Sequence, residues 1–251
     1  MNIERFSRLF GVFFVCLCVV SGCKGTEDDN MVRDLPFVVY YDNAESRFLL
    51  RSIKLTSENK ADLILYAADI ATDSKTEEGL CGIGDFQINF DTQINSKYYE
   101  ATTLAWREAP LSKFTMVEDP SNVQSDSLTL SWSKGSSFIG HTLFLKLSHQ
   151  TMAGAEYNYW MNYDAELSPP VGNTFTMDLN AVMSQQNTGT TFVPQTIGLT
   201  FDMEDFFVKY ADRDTFSFTI KYVSGLGEGL VNKYDNYSLP VQLITNPVAK
   251  P

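Results

Sequence analysis

Beyond Asp34 the chain alternates apolar and polar residues in one segment after another. Phe86, Ile88 and Phe90 fall on one parity, with Asp85, Gln87, Asn89 and Asp91 on the other. Leu128, Leu130 and Trp132 alternate with Ser127, Thr129, Ser131 and Ser133, and Leu143, Leu145 and Leu147 with Thr142, Phe144, Lys146 and Ser148. Phe175, Met177 and Leu179 repeat the pattern, as do Ile197, Leu199, Phe201 and Met203, and then Phe216, Phe218, Ile220 and Tyr222. Side chains two residues apart share one face of a strand, so each run predicts a strand half in a core and half in water. About thirteen such runs lie between Phe37 and Thr245, with short turn-rich segments between them. Helical spacing is confined to 178–186 and 203–211, each long enough for two turns.

That density of short strands predicts an all-β protein of antiparallel β-sandwich architecture. The segment from Glu118 to Asp126 is polar, carries Pro120 and lacks apolar periodicity. It divides the body into 36–119 and 126–251, each near the size of one immunoglobulin-like domain, so two tandem sandwiches are expected. A single thirteen-stranded sandwich is the alternative. The Cys–Trp–Cys core of antibody domains is absent, which limits the likeness to architecture.

The N-terminus breaks the alternation. Arg5 and Arg8 precede an apolar run over 9–20, interrupted only by Gly11. Twelve helical residues span about 18 Å, short of the roughly 30 Å of a bilayer core. The run is therefore the apolar region of a cleaved export signal. Val20-Ser21-Gly22-Cys23 follows and resembles the bacterial lipobox. The resemblance implies that residues 1–22 are removed and that Cys23 carries a diacylglycerol thioether as the mature N-terminus. Two or three acyl chains, at about 0.8 kcal/mol per buried methylene, give stable membrane attachment. Glu27, Asp28 and Asp29 then resemble the acidic export signal of Bacteroidetes lipoproteins, which implies the outer face of the outer membrane. Residues 23–35 are expected to form a lipidated tether, and 24–34 fully extended reach about 36 Å.

Composition sharpens this picture. The 251 residues carry 19 basic and 31 acidic side chains, a formal charge of −12. Loss of Arg5, Arg8 and Glu4 with the signal takes it to −13. Such a balance excludes a nucleic-acid partner, whose phosphates need clustered Lys and Arg. Cys16 and Cys18 leave with the signal and Cys23 is lipidated, so Cys81 alone remains and no intramolecular disulfide can form. A lone Cys between Leu80 and Gly82 reads as a small buried apolar residue.

No enzymatic signature emerges. His141 and His149 would stand about 27 Å apart along one strand, too far to share a metal, and each is expected at a strand end. Ser57 with Lys60, and Ser131 with Lys134, match a Ser-x-x-Lys spacing without its companion motifs. The 225–229 segment has glycines but the wrong spacing for phosphate, and reads as a hairpin loop. Asp202, Glu204, Asp205, Asp212 and Asp214 form an acidic cluster, read chiefly as a solvated face rather than a Ca²⁺ site. No metal and no cofactor are expected.

The most informative stretch is 156–164. As a strand it places Tyr157, Tyr159, Met161 and Tyr163 on one face, and Asn158, Trp160 and Asn162 on the other. With the tyrosines in the core, Trp160 flanked by two amides resembles a sugar-binding platform, an aromatic plane for the ring and amides for its hydroxyls. Asp126-Ser127-Leu128 resembles the Bacteroidetes O-glycosylation sequon, with Ser127 as acceptor.

These features are expected of a lipid-anchored surface lipoprotein, not an enzyme, that binds extracellular glycan or protein. The alternative is a fimbrillin-like structural or adhesive subunit, trimmed after Arg33 or Arg47 and completed by a donor strand such as 239–245. A carboxylate-based glycoside hydrolase is the third reading.

Overall fold

The computed structural model describes residues 30–55, 60–116, 130–132, 136–185, 191–226, 232–239 and 244–245. Cys23, Glu27, Asp28, Asp29 and Ser127 lie outside them. The first strand already begins at Met31, inside the stretch expected to be tether.

Five strands form the N-terminal half: β1 (Met31–Asp42), β2 (Arg47–Leu55), β3 (Lys60–Ala67), β4 (Cys81–Ile94) and β5 (Tyr98–Glu108). A short helix, α1 (Ala68–Ala71), lies between β3 and β4. The strands close into a barrel in the order β1-β2-β3-β5-β4. The β3–β5 pair is parallel, while β1–β2, β2–β3 and β4–β5 are antiparallel. This is a five-stranded Greek-key barrel of the OB type. Leu35, Phe37 and Val39 of β1 point inward with Leu63, Leu65, Phe86 and Ile88, and Ile70 of α1 is buried among them. Phe37 and Phe86 meet edge to face at 5.7 Å. Gly82 is needed there, because a Cβ at that position would run into the Phe37 ring.

The expected N-terminal sandwich is thus replaced by a barrel. Both architectures bury one face of each strand, so alternation alone does not separate them. The parallel β3–β5 pairing, reached through α1 and β4, closes the cylinder together with β4 lying beside β1.

The rest of the chain adds β6 (Leu111–Met116), β7 (Leu130–Trp132), β8 (Ser137–Ile139), β9 (Thr142–Met152), β10 (Glu156–Tyr163), β11 (Thr174–Gln185) and β12 (Phe192–Asp202). Helix α2 (Glu204–Lys209) follows, then β13 (Thr215–Leu226), β14 (Asn232–Ser238) and β15 (Ile244–Thr245). They join one long sheet in the order β14-β13-β11-β10-β6-β12-β9-β7, with β8 on β9 and β15 on β13. The sheet is mixed rather than antiparallel, since β6 runs parallel to both β10 and β12, and β11 runs parallel to β13. Of the 178–186 segment, whose spacing allows two helical turns, the described residues 178–185 are strand, with Leu179 and Ala181 reaching the core from β11. The 203–211 segment does contain a helix, α2.

The sheet curls so that its two halves share one core. Leu143, Leu145 and Leu147 of β9 and Phe201 of β12 meet Met161 of β10, Phe175 of β11 and Phe218 of β13. Phe206 and Phe207 of α2 close one end, fully buried, with Phe206 5.0 Å from Phe175 and Phe207 5.2 Å from Phe216.

The change from barrel to sheet falls at Ala109 and Pro110, because β6 already belongs to the second sheet. The two parts share a buried seam of Cys81, Ile83 and Ala109 against Ile139 and Phe144. Thr200 Oγ donates to the carbonyls of Ala109 and Pro110 there, at 2.9 and 2.7 Å. Lys146 of β9 reaches Asp34 of β1 at 2.7 Å. The barrel therefore packs on the outer face of β9.

Candidate functional site

Strand β10 divides its side chains by parity. Met161 and Tyr163 are fully buried, and Tyr157 and Tyr159 pack against the same core. The Tyr159 hydroxyl shares a 2.8 Å hydrogen bond with Nδ1 of His149, and burial holds that hydroxyl well above the usual phenol range. His149 itself is enclosed within β9, with the Tyr157 ring 4.7 Å away. It is a core residue rather than the strand-end residue expected. The opposite parity of β10 carries Asn158, Trp160 and Asn162 on the outer face. Asn158 is exposed, Trp160 is partly exposed and Asn162 is buried.

Topology decides what surrounds them. Side chains in register across neighbouring strands share a face and lie roughly 5 Å apart. Asn162 is in register with Thr115 of β6 and Asp178 of β11, Asp178 with Lys221 of β13, and Lys221 with Asn236 of β14. One row two residues away contains Lys113, Trp160 and Asn180. On the other side, Thr176, Thr219 and Ser238 form a third row, with the Thr219 and Ser238 hydroxyls 3.4 Å apart. The result is a polar band across five strands with one tryptophan in it.

Contacts within the band fix its geometry. Asn180 Nδ2 donates to Asn162 Oδ1 at 2.7 Å. Each amide keeps one further polar atom for another partner, the NH₂ of Asn162 and the carbonyl of Asn180. Lys221 Nζ stands 3.4 Å from Asp178 Oδ1 and 4.6 Å from the ring centre of Tyr234. Burial pushes the Asp178 carboxyl above its ordinary range against the pull of Lys221, and the nearby Asp164 charge adds to the rise. Asp164 follows the last residue of β10 and is 1% exposed. Its Oδ1 accepts the backbone N–H groups of Glu166 and Leu167 at 2.8 and 3.0 Å, while its Oδ2 is buried with no partner among the described residues. A buried carboxylate oxygen without a donor is costly to the fold.

The acidic cluster resolves differently. Asp202 ends β12 and its Oδ1 accepts the Glu204 N–H at 2.9 Å, serving the first turn of α2. His141, in the turn before β9, brings Nδ1 within 2.8 Å of the same oxygen, and its carbonyl accepts the Met203 N–H at 3.0 Å. The donor atoms of His141, Asp202 and Glu204 lie within 4.8 Å of one another, the group of three among the described residues that could hold a cation. His141 and Asp202 also border a cleft of about 200 Å³ between barrel and sheet, beside Tyr40, Arg51 and Glu78. The Asp202 carboxylate already holds His141 and the first N–H of α2, and the Glu204 side chain is exposed. Asp205, Asp212 and Asp214 are exposed. Sequence reasoning missed His141 as their neighbour, because only the β9–β12 pairing brings it to Asp202.

Cys81 is buried at the seam, its thiol 3.3 Å from the Gly79 carbonyl, and burial with the Asp202 charge pushes it up to about 11. No helix among the described residues is long and apolar enough to cross a membrane.

No family model and no curated protein matches the chain. Solved structures do. An uncharacterised protein from Parabacteroides merdae superposes with a TM-score of 0.52 at 18% identity, over 82% of this chain and 98% of its own. A protein of unknown function from Bacteroides vulgatus gives 0.53 at 11% identity, over 84% and 92%. A candidate lipoprotein from Bacteroides fragilis gives 0.52 at 8% identity, over 83% and 96%. At such identities the likeness is one of fold.

Proposed function

We propose that this protein is a lipid-anchored lipoprotein of the outer cell surface whose polar sheet face, around Trp160, binds extracellular glycan without catalysis. The anchor rests on Val20-Ser21-Gly22-Cys23 after the apolar run, with Glu27, Asp28 and Asp29 as the surface signal. The similar Bacteroides fragilis chain, a candidate lipoprotein, supports the same attachment.

The observation that carries the binding reading is the setting of Trp160. Its neighbours on the outer face are Lys113, Asn180 and Asn162, while the tyrosines of its own strand are committed to the core. An aromatic plane beside amides and carboxylates matches a sugar, whose ring has an apolar C–H face and a rim of hydroxyls. A protein ligand is the less suited partner, because the band lacks the apolar centre that protein interfaces use.

Two measurements test the reading. In native gels cast with xylan, galactomannan, laminarin, pectic galactan or mucin glycan, the wild-type protein is expected to be retarded by at least one polymer. Uniform mobility in every gel refutes binding. On intact cells, added protease is expected to remove the protein, and replacement of Glu27, Asp28 and Asp29 by Ala to protect it; a protected wild type refutes surface display.

A further inference from the structure

The polar band has a direction. On β10 the outer residues run Asn158, Trp160 and Asn162, a path that meets apolar Val182 of β11 beside the exposed Asn158 and the enclosed Asp164 just past the strand's end. Across the strands the path stays polar from Thr115 through Asn162, Asp178 and Lys221 to Asn236, and it ends on an exposed side chain. Four strand spacings make this row about 19 Å long.

A second aromatic residue lies on the same flank of that row. β10 is antiparallel to β11, β11 is parallel to β13, and β13 is antiparallel to β14, so β10 and β14 point the same way. Trp160 precedes Asn162 by two residues, and Tyr234 precedes Asn236 by two. Both rings therefore stand beside the same polar row, on the same side, three strand spacings or about 14 Å apart. Tyr234 is 49% exposed, and the Lys221 ammonium stands 4.6 Å from its ring centre.

We propose that Trp160 and Tyr234 are two platforms of one site, and that the ligand is a glycan chain of about three or four rings laid across the strands. This rests on the glycan reading given above. End rings of the chain stack on Trp160 and Tyr234. The hydroxyls between them meet Asp178, Lys221 and Asn236, whose side chains reach solvent.

The test uses oligosaccharides of two to six units, cut from whichever polysaccharide retains the wild-type protein, with affinity measured by calorimetry. Affinity is expected to rise about tenfold from two units to four and then level off. Tyr234→Ala is expected to remove that gain while leaving two-unit binding unchanged, and Tyr234→Phe to keep it. Trp160→Ala is expected to weaken every length. Tyr234 lies on an exposed strand, and an unchanged melting curve separates loss of a contact from loss of fold. The proposal is overturned if Tyr234→Ala matches the wild type at every length, or if Asn158→Ala removes the length-dependent gain instead. Both results leave glycan binding intact, and the second places the chain along β10. Failure of the wild type to bind any polysaccharide overturns both this proposal and the reading beneath it.

Discussion

Asn180 on β11 donates its side-chain N–H to the Asn162 carbonyl on β10 at 2.7 Å, and both amides are nearly enclosed on the outer face of the sheet. The pair ties the two strands that frame Trp160. Asn180→Ala strands an acceptor in a buried position and is expected to cost about 1–3 kcal/mol in urea unfolding. Replacing both residues with Val removes donor and acceptor together and is expected to be close to neutral. A double variant less stable than the single one would show that the pair is not a closed unit.

The aromatic cluster under α2 carries the second sheet. Phe175 is fully buried, with Tyr210, Phe206, Tyr163 and Phe216 at 4.9 to 5.6 Å. Phe175→Ala is expected to lower the unfolding free energy by about 3–5 kcal/mol. A loss under about 1 kcal/mol, far below what truncating a buried ring costs, would mean that the cluster is not the keystone of the sheet.

Asp34 and Lys146 join barrel to sheet at 2.7 Å, and the lysine's hydrogen bond and charge hold the Asp34 carboxyl below its usual range, against a smaller effect of burial. An acid with a lowered native pKa stabilises the fold above its unfolded value and stops doing so as pH falls through the native one. Lys146→Met is therefore expected to lower the urea midpoint at pH 7. Its deficit relative to wild type should shrink as pH falls from about 4 towards 2. A deficit independent of pH would exclude the ion pair as its source.

In the chain from Lys24 onward Cys81 is the only cysteine, and its thiol is pushed up to about 11. At pH 8 the folded protein is expected to react with an aromatic disulfide reagent roughly a hundredfold more slowly than the urea-unfolded chain. Equal rates would show that the seam between barrel and sheet opens readily.

What is legible in the sequence follows parity. The tyrosines of 157–163 and Trp160 alternate, and that is enough to set one group inward and the other outward. Register with neighbouring strands is a different matter. Nothing near Asn162 in the chain points to Asn180, Asp178 or Lys221, which reach it because β10 lies between β6 and β11 and β11 runs beside β13. Tyr234 carries no local signal for the same reason. The 178–186 segment also permits a helix by spacing, and partners on β10 and β13 make its described part, 178–185, a strand. His149 reads as polar in sequence and is buried because Tyr157 and Tyr159 enclose it. Closure of the first five strands depends on one parallel pairing that no local pattern encodes.

The most direct measurement compares wild type, Trp160→Phe and Trp160→Ala by affinity electrophoresis on the retaining polysaccharide, each checked for an unchanged melting curve. The wild type is expected to be retarded, Trp160→Phe to keep part of that retardation, and Trp160→Ala to migrate about as in a gel without polymer. Full retardation of a correctly folded Trp160→Ala would contradict the assignment of this face as the binding site.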